Sequence, residues 1–230
     1  MSSLTLKWYI PFFILSALHL GAILNQQDNL TDFTKPLLVL SLFVVVGLIR
    51  PSSQKEILGY RLLSLALVFS LFGDIFLLSE YRYGLPFMFY LGLAAFLAAH
   101  IFYIVLFSNF GQIKISKYWS ILYAIYLGLF MTLLYPGMGL SLKIPVTIYG
   151  VVLTLMAWYS WRSVHAITKN NLIIVMGSLL FVASDSVLAY NRFKFPIPYS
   201  GFIIMLTYLA AQFLITYGVI RHFAKEKYIV

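Results

Sequence analysis

Runs of apolar residues recur along the whole of this 230-residue sequence, at roughly 8–24, 36–49, 60–79, 86–107, 117–135, 144–162, 171–190 and 199–222. A helix of about 20 apolar residues crosses the hydrocarbon core of a bilayer. Inside that core the backbone can satisfy its hydrogen bonds only as a helix or a closed barrel. The runs therefore predict an all-α polytopic membrane protein: eight transmembrane helices in one transmembrane domain over residues 1–230. The run 36–49 is the shortest, and it is expected to tilt little or to continue into the polar stretch beside it. Charged residues make up 10% of the chain, against roughly 25% in a soluble domain, which excludes the ordinary soluble classes. Lys7 and the run after it resemble the start of a signal peptide. No small-x-small cleavage pattern follows, so the run reads as a retained first span. The loops are too short to be domains, and function is expected within or at the edge of the bilayer.

The net charge of +9 does not point to nucleic acid, because the cations lie in short loops and no basic aromatic module is present. They are expected to set topology and to meet the headgroups of membrane lipids. Eleven of the sixteen Lys and Arg residues fall on the side shared by the two termini, including Arg50, Lys55, Arg61, Lys114 and Lys227. Lys35, Arg82, Lys143, Arg192 and Lys194 fall on the other. The positive-inside rule then places both termini in the cytoplasm of a multi-pass protein, with a bacterial cell membrane as the expected location. The absence of cysteine removes disulfides, thiol catalysis and cysteine metal sites.

Two carboxylates stand inside these spans. Asp74 lies near the end of the third and Asp185 near the end of the seventh. An ionisable residue in a membrane span is costly and marks a functional site by default. The places match: Asp74-Ile-Phe-Leu77 parallels Asp185-Ser-Val-Leu188, and Arg82 and Arg192 follow. Leu97-Ala-Ala-His100 parallels Leu209-Ala-Ala-Gln212, and Lys35-Pro36 parallels Lys143-Ile-Pro145. These echoes indicate a four-plus-four parallel tandem repeat, with halves 1–110 and 111–230, related by an axis along the membrane normal. Two like charges in a low-dielectric site do not readily ionise together, so such a pair divides into one protonated and one ionised acid. That division suits general acid and general base work. The plainer alternative is that each Asp bonds a neighbouring helix, or pairs with Arg82 or Arg192.

His100 lies deeper than the acids by residue count and ranks as a secondary site member, with Tyr103 on its face at i+3. Taken alone, such a histidine more often bonds between helices. Tyr208 and Gln212, at i and i+4, face one way and could equally be interhelical glue. Lys35, Lys143, Arg82 and Arg192 could snorkel as anchors, or some of them could hold an anionic headgroup, phosphate being favoured by Arg. There is no G-x-S-x-G elbow, and Ser184 and Ser186 beside Asp185 make no triad. His19, His100, His165 and His222 are scattered, with no H-E-x-x-H spacing, so a zinc hydrolase is disfavoured and no cofactor or metal is expected.

These residues resemble the YhhN-like integral membrane family, the lysoplasmalogenases. The resemblance rests on Lys35-Pro36; on Gly73-Asp74 with Leu77; on Gly92, Phe96, His100 and Tyr103 in the pattern G-x-x-x-F-x-x-x-H-x-x-Y; on Ser184-Asp185 with Leu188 and Phe193; and on Tyr208 with Gln212. It implies hydrolysis of the vinyl ether bond of lysoplasmalogens to a fatty aldehyde and a glycerophospho-base. The expected substrate is a lysophospholipid. Asp74 and Asp185 would then be the catalytic pair. Lys35 and Arg192 would hold the phosphate. His100, Tyr103, Tyr208 and Gln212 would line the cavity or orient water. A lipid or small-solute transporter on the same scaffold, and a hydrolase of another ether or ester lysolipid, stand as alternatives. The sequence leaves the oligomeric state open.

Overall fold

The computed structural model describes residues 6–110, 117–163 and 169–226. His165, Lys114 and Lys227, used above, lie outside the described residues. Among the described residues all regular structure is helical. A 3-10 turn, Leu6–Tyr9, leads into α1 (Ile10–Leu24); then come α2 (Asp28–Gly47), α3 (Gln54–Tyr83), α4 (Pro86–Ser108), α5 (Lys117–Leu134), α6 (Leu140–Arg162), α7 (Lys169–Phe193) and α8 (Ser200–Glu226). Eight of these stretches are long and apolar enough to cross a membrane. Their outward faces carry Phe72, Ile101, Ile125, Leu155 and Met176 exposed, which is how a helix meets lipid rather than water.

The helix ends follow local chemistry. Ser53 caps α3 by accepting from the Glu56 N–H at 3.2 Å, and the Glu56 carboxylate accepts from the Ser52 N–H at 2.8 Å; together these resemble a capping box. Gly84, at φ +61°, ends α3 in the left-handed conformation that favours glycine. The short run at 36–49 is resolved by continuation: α2 begins at Asp28 and carries Lys35 and Pro36 inside the helix. The polar residues before Pro36 can be helical because Arg82 holds them, as described below.

Packing divides the chain into two compact units, Met1–Ala99 and His100–Val230, with the division inside α4. In the first unit α2 packs against both α1 and α3, over a core that includes Leu38, Leu42, Leu63 and Leu67. In the second, α7 and α8 form the most intimate pair. Gly177 permits their approach: a Cβ there would sit 2.9 Å from the Ile215 backbone nitrogen and 3.0 Å from the Ala211 carbonyl. Small residues at such a crossing let two membrane helices pack closely.

Candidate functional site

In the first unit Asp74 is buried on α3, beside a tight crossing with α4. A Cβ on Gly73 would meet the Phe96 ring at 2.5 Å, and one on Gly92 would meet the Leu77 side chain at 2.7 Å. The pattern Gly73-Asp74-x-x-Leu77 with Gly92-x-x-x-Phe96 is thus reciprocal packing. Each helix supplies a glycine hole for a large side chain of the other. Asp74 follows Gly73 directly on α3 at this crossing.

At the far end of α3, Arg82 is committed. Its Nε donates to Asp32 Oδ1 at 2.7 Å, and its guanidinium lies 2.8 Å from Asp28 Oδ2. It also donates to the Asp28 carbonyl at 2.7 Å and to Thr31 Oγ1 at 3.2 Å. Arg82 therefore fastens the first turns of α2 to the last turn of α3. Lys35, one turn beyond Thr31, is half-buried. Next to it in sequence, the buried Thr34 hydroxyl donates to the Leu30 carbonyl at 2.7 Å and lies 2.7 Å from Nδ1 of buried His19.

In the second unit three consecutive residues of α7 reach three different helices, as a rotation of about 100° per residue allows. Ser184 donates to the Ile204 carbonyl of α8 at 3.0 Å. Asp185 accepts through Oδ2 from the Tyr149 hydroxyl of α6 at 2.5 Å. Ser186 pairs with the Tyr126 hydroxyl of α5 at 2.5 Å. The residues that form no triad with Asp185 instead fix the helix on either side of it.

His100 is fully buried, and among the described residues neither of its ring nitrogens has a hydrogen-bond partner. Its ring meets the Tyr149 ring edge-on at 5.3 Å and the Phe181 ring at 4.7 Å. Phe181 in turn meets Tyr208 at 5.4 Å. The Tyr103 hydroxyl donates to Gln212 Oε1 at 2.7 Å, and Gln212 Nε2 donates to the Tyr208 hydroxyl at 3.3 Å. The second unit thus brings Asp185, His100, Tyr103, Tyr208 and Gln212 into one continuous cluster. Tyr149 and Phe181 are the links that sequence reasoning missed. With 17 tyrosines in the chain, residue type singles out none of them; the one mark Tyr149 carries is its place within an apolar run. Arg192 stands outside the cluster, exposed, seven residues beyond Asp185 and so about 10 Å further along the helix. Its guanidinium lies 6.0 Å from the Phe193 ring centroid.

Comparison with known proteins adds an independent line. The model of the YhhN family matches residues 30–219. The chain is 35% identical over 216 residues to the human protein named lysoplasmalogenase TMEM86B, covering 94% of this chain and 87% of that one. It is 31% identical over 179 residues to bovine lysoplasmalogenase TMEM86A, covering 76% and 68%. It is 30% identical over 224 residues to mouse lysoplasmalogenase TMEM86B, covering 94% and 88%. No solved structure matches. A family match over most of the chain, with relatives aligned along nearly its whole length, establishes that this chain belongs to the YhhN family.

Proposed function

We propose that this chain is a membrane hydrolase that cleaves the vinyl ether bond of 1-alkenyl lysophospholipids, yielding a fatty aldehyde and a glycerophospho-base. The observation that carries this reading is the alignment, over 94% of the chain, with a relative named lysoplasmalogenase. Two carboxylates within apolar helices supply the chemistry such a bond needs, with no metal or cofactor required of it.

One Asp gives its proton to the alkene carbon two atoms from the ether oxygen. The π pair forms the new C–H bond, and an oxocarbenium ion results. The second Asp, ionised, faces that cation. Water adds to the cationic carbon, and its proton passes to the second Asp. The hemiacetal then collapses: its O–H proton returns to the first Asp, the carbon–oxygen bond to glycerol breaks, and the second Asp protonates the departing oxygen. Both acids are restored, and one water has been consumed. Each transfer is general acid or base catalysis, worth about 10²- to 10⁴-fold.

Asp74 and Asp185 are assigned these two roles. His100, Tyr103, Tyr208 and Gln212 are assigned to cavity lining and water orientation, which the contiguity of their side chains with the Tyr149–Asp185 pair supports. Lys35 and Arg192 are assigned to the phosphate; Arg82 is given no such role, since two carboxylates already engage it. Both termini are assigned to the cytoplasmic face on the bias of Lys and Arg.

The test is aldehyde release from 1-alkenyl lysophosphatidylethanolamine by purified protein, beside Asp74→Asn and Asp185→Asn, each shown to be folded. Wild-type release that falls about 10²- to 10⁴-fold in both variants is expected. Release that survives either change removes that Asp from the mechanism. A folded wild type that binds lysolipid and releases no aldehyde overturns the hydrolase reading.

A further inference from the structure

Between α5 and α6 the second unit leaves a groove of about 280 Å³. Tyr123, Ala124 and Leu127 of α5 line one wall, and Val151, Leu155 and Trp158 of α6 line the other. Each set recurs at helical spacing, so each is one continuous face. The two helices meet at both ends of the groove. At one end the Trp158 indole donates to Ser120 Oγ at 3.0 Å. At the other, a Cβ on Gly150 would meet the Met131 side chain at 2.6 Å and the Leu127 side chain at 3.1 Å. Between these contacts Ala124, Val151 and Leu155 stand exposed. Mainly apolar walls that open sideways along their length suit a hydrocarbon chain. From Trp158 to Val151 the groove runs about 10 Å along α6. That is less than the depth of one leaflet, about 15 Å, or half the hydrocarbon core.

The Trp158 end stands at headgroup level. Three of the chain's four tryptophans, Trp119, Trp158 and Trp161, gather there, as tryptophan does at membrane interfaces. Trp119 and Trp161 meet across the two helices at 4.8 Å. Arg162 ends α6, and its guanidinium lies 4.5 Å from the Trp158 ring centroid. A ring beneath a guanidinium holds its fork of N–H donors in place, and that fork matches a phosphate. Lys117 and Lys169 open α5 and α7 at the same end. A slot for one tail and a fork for one phosphate therefore share the Trp158 side chain.

We propose that this groove binds an anionic membrane phospholipid, with one tail between α5 and α6 and the phosphate at Arg162. The ligand is a lipid that the protein retains, separate from any lysolipid it hydrolyses, and the inference uses no part of the hydrolase reading. The tail fills the space between the two places where α5 and α6 touch. It thereby supports α6, which presents Tyr149 to Asp185 one residue before Gly150.

Purified protein in nanodiscs of phosphatidylcholine tests this with two photoactivatable probes, phosphatidylglycerol and phosphatidylcholine carrying the same diazirine tail. Peptide mass spectrometry reads which residues are labelled. The label is expected on Tyr123, Leu127, Val151 and Leu155. Phosphatidylglycerol should lead by about five-fold, the worth of one cation at an anionic headgroup. Arg162→Gln is expected to bring the two probes to parity. Ala124→Phe puts a ring into the groove from an exposed position and is expected to remove the wall label while helicity by circular dichroism persists. Should it fail to fold, Leu155→Phe fills the groove from the opposite wall. Equal wall labelling of the wild type by the two probes means annular lipid only and overturns the proposal. Label spread evenly onto Phe72, Ile101 and Met176 of other helices overturns it too. So does a phosphatidylglycerol preference that survives Arg162→Gln, or a wall label that survives in a folded ring variant.

Discussion

Around Asp74 the neighbouring helices meet where side chains are missing, and around Asp185 they are joined by hydroxyls. Gly73 and Gly92 admit Phe96 and Leu77, so α3 and α4 lock by shape. Ser184, Tyr149 and Ser186 with Tyr126 fasten α7 by hydrogen bonds to three helices. In the first unit a polar fastening stands at the helix ends, where Arg82 binds Asp28 and Asp32. Two acids at matching places in the sequence thus stand on helices that are held to their neighbours in different ways.

The comparison breaks most readily at Gly73. Gly73→Val puts atoms into the Phe96 ring and is expected to cost about 1–3 kcal/mol, the usual range for overpacking, and to abolish most aldehyde release. Thermal unfolding in detergent with the release assay checks both. A fully stable and active Gly73→Val would show that the α3–α4 crossing does not depend on shape. The counterpart change in the second unit, Ser184→Ala, adds no volume and removes one interhelical bond. Its expected cost is about 0.6 kcal/mol, the average for such bonds between membrane helices, with a larger effect on turnover than on melting. If Ser184→Ala proves as destabilising as Gly73→Val, the distinction between shape-locked and bonded surroundings fails.

Much of this was legible beforehand, for a physical reason. Hydropathy adds residue by residue, so eight spans could be counted without knowing any contact. The spacing of Tyr208 and Gln212 fixes a shared face on any helix, and their mutual bond follows from it. What could not be read depends on partners distant in sequence. α2 starts eight residues before Pro36 because Arg82, 50 residues from Asp32, satisfies its first turns. Tyr149 matters because α6 delivers it to Asp185, 36 residues on, and nothing local to either residue announces that. The glycines were visible as part of a familiar pattern, but their use as holes for Phe96 and Leu77 appears only when α3 and α4 are set together.

The smallest effect is expected at Arg82, and it sharpens the comparison from the other side. Its side chain is 18% exposed, but its partners Asp28 and Asp32 are 63% and 39% exposed, so these pairs feel solvent and salt. Arg82→Gln should lower the melting temperature slightly at low ionic strength. The difference should shrink toward zero near 1 M salt, where the screening length is about 3 Å. Arg82→Lys should lose nearly as much as Arg82→Gln. The guanidinium serves two carboxylates, a carbonyl and a hydroxyl at once, and a point charge on a flexible stem does not reproduce that fork. Turnover in both variants should stay within about two-fold of wild type, because the fastening lies two turns beyond Asp74 on α3. A drop in turnover as large as that of Ser184→Ala, at unchanged melting, would place Arg82 in the chemistry and remove its reading as a fastening of the helix ends.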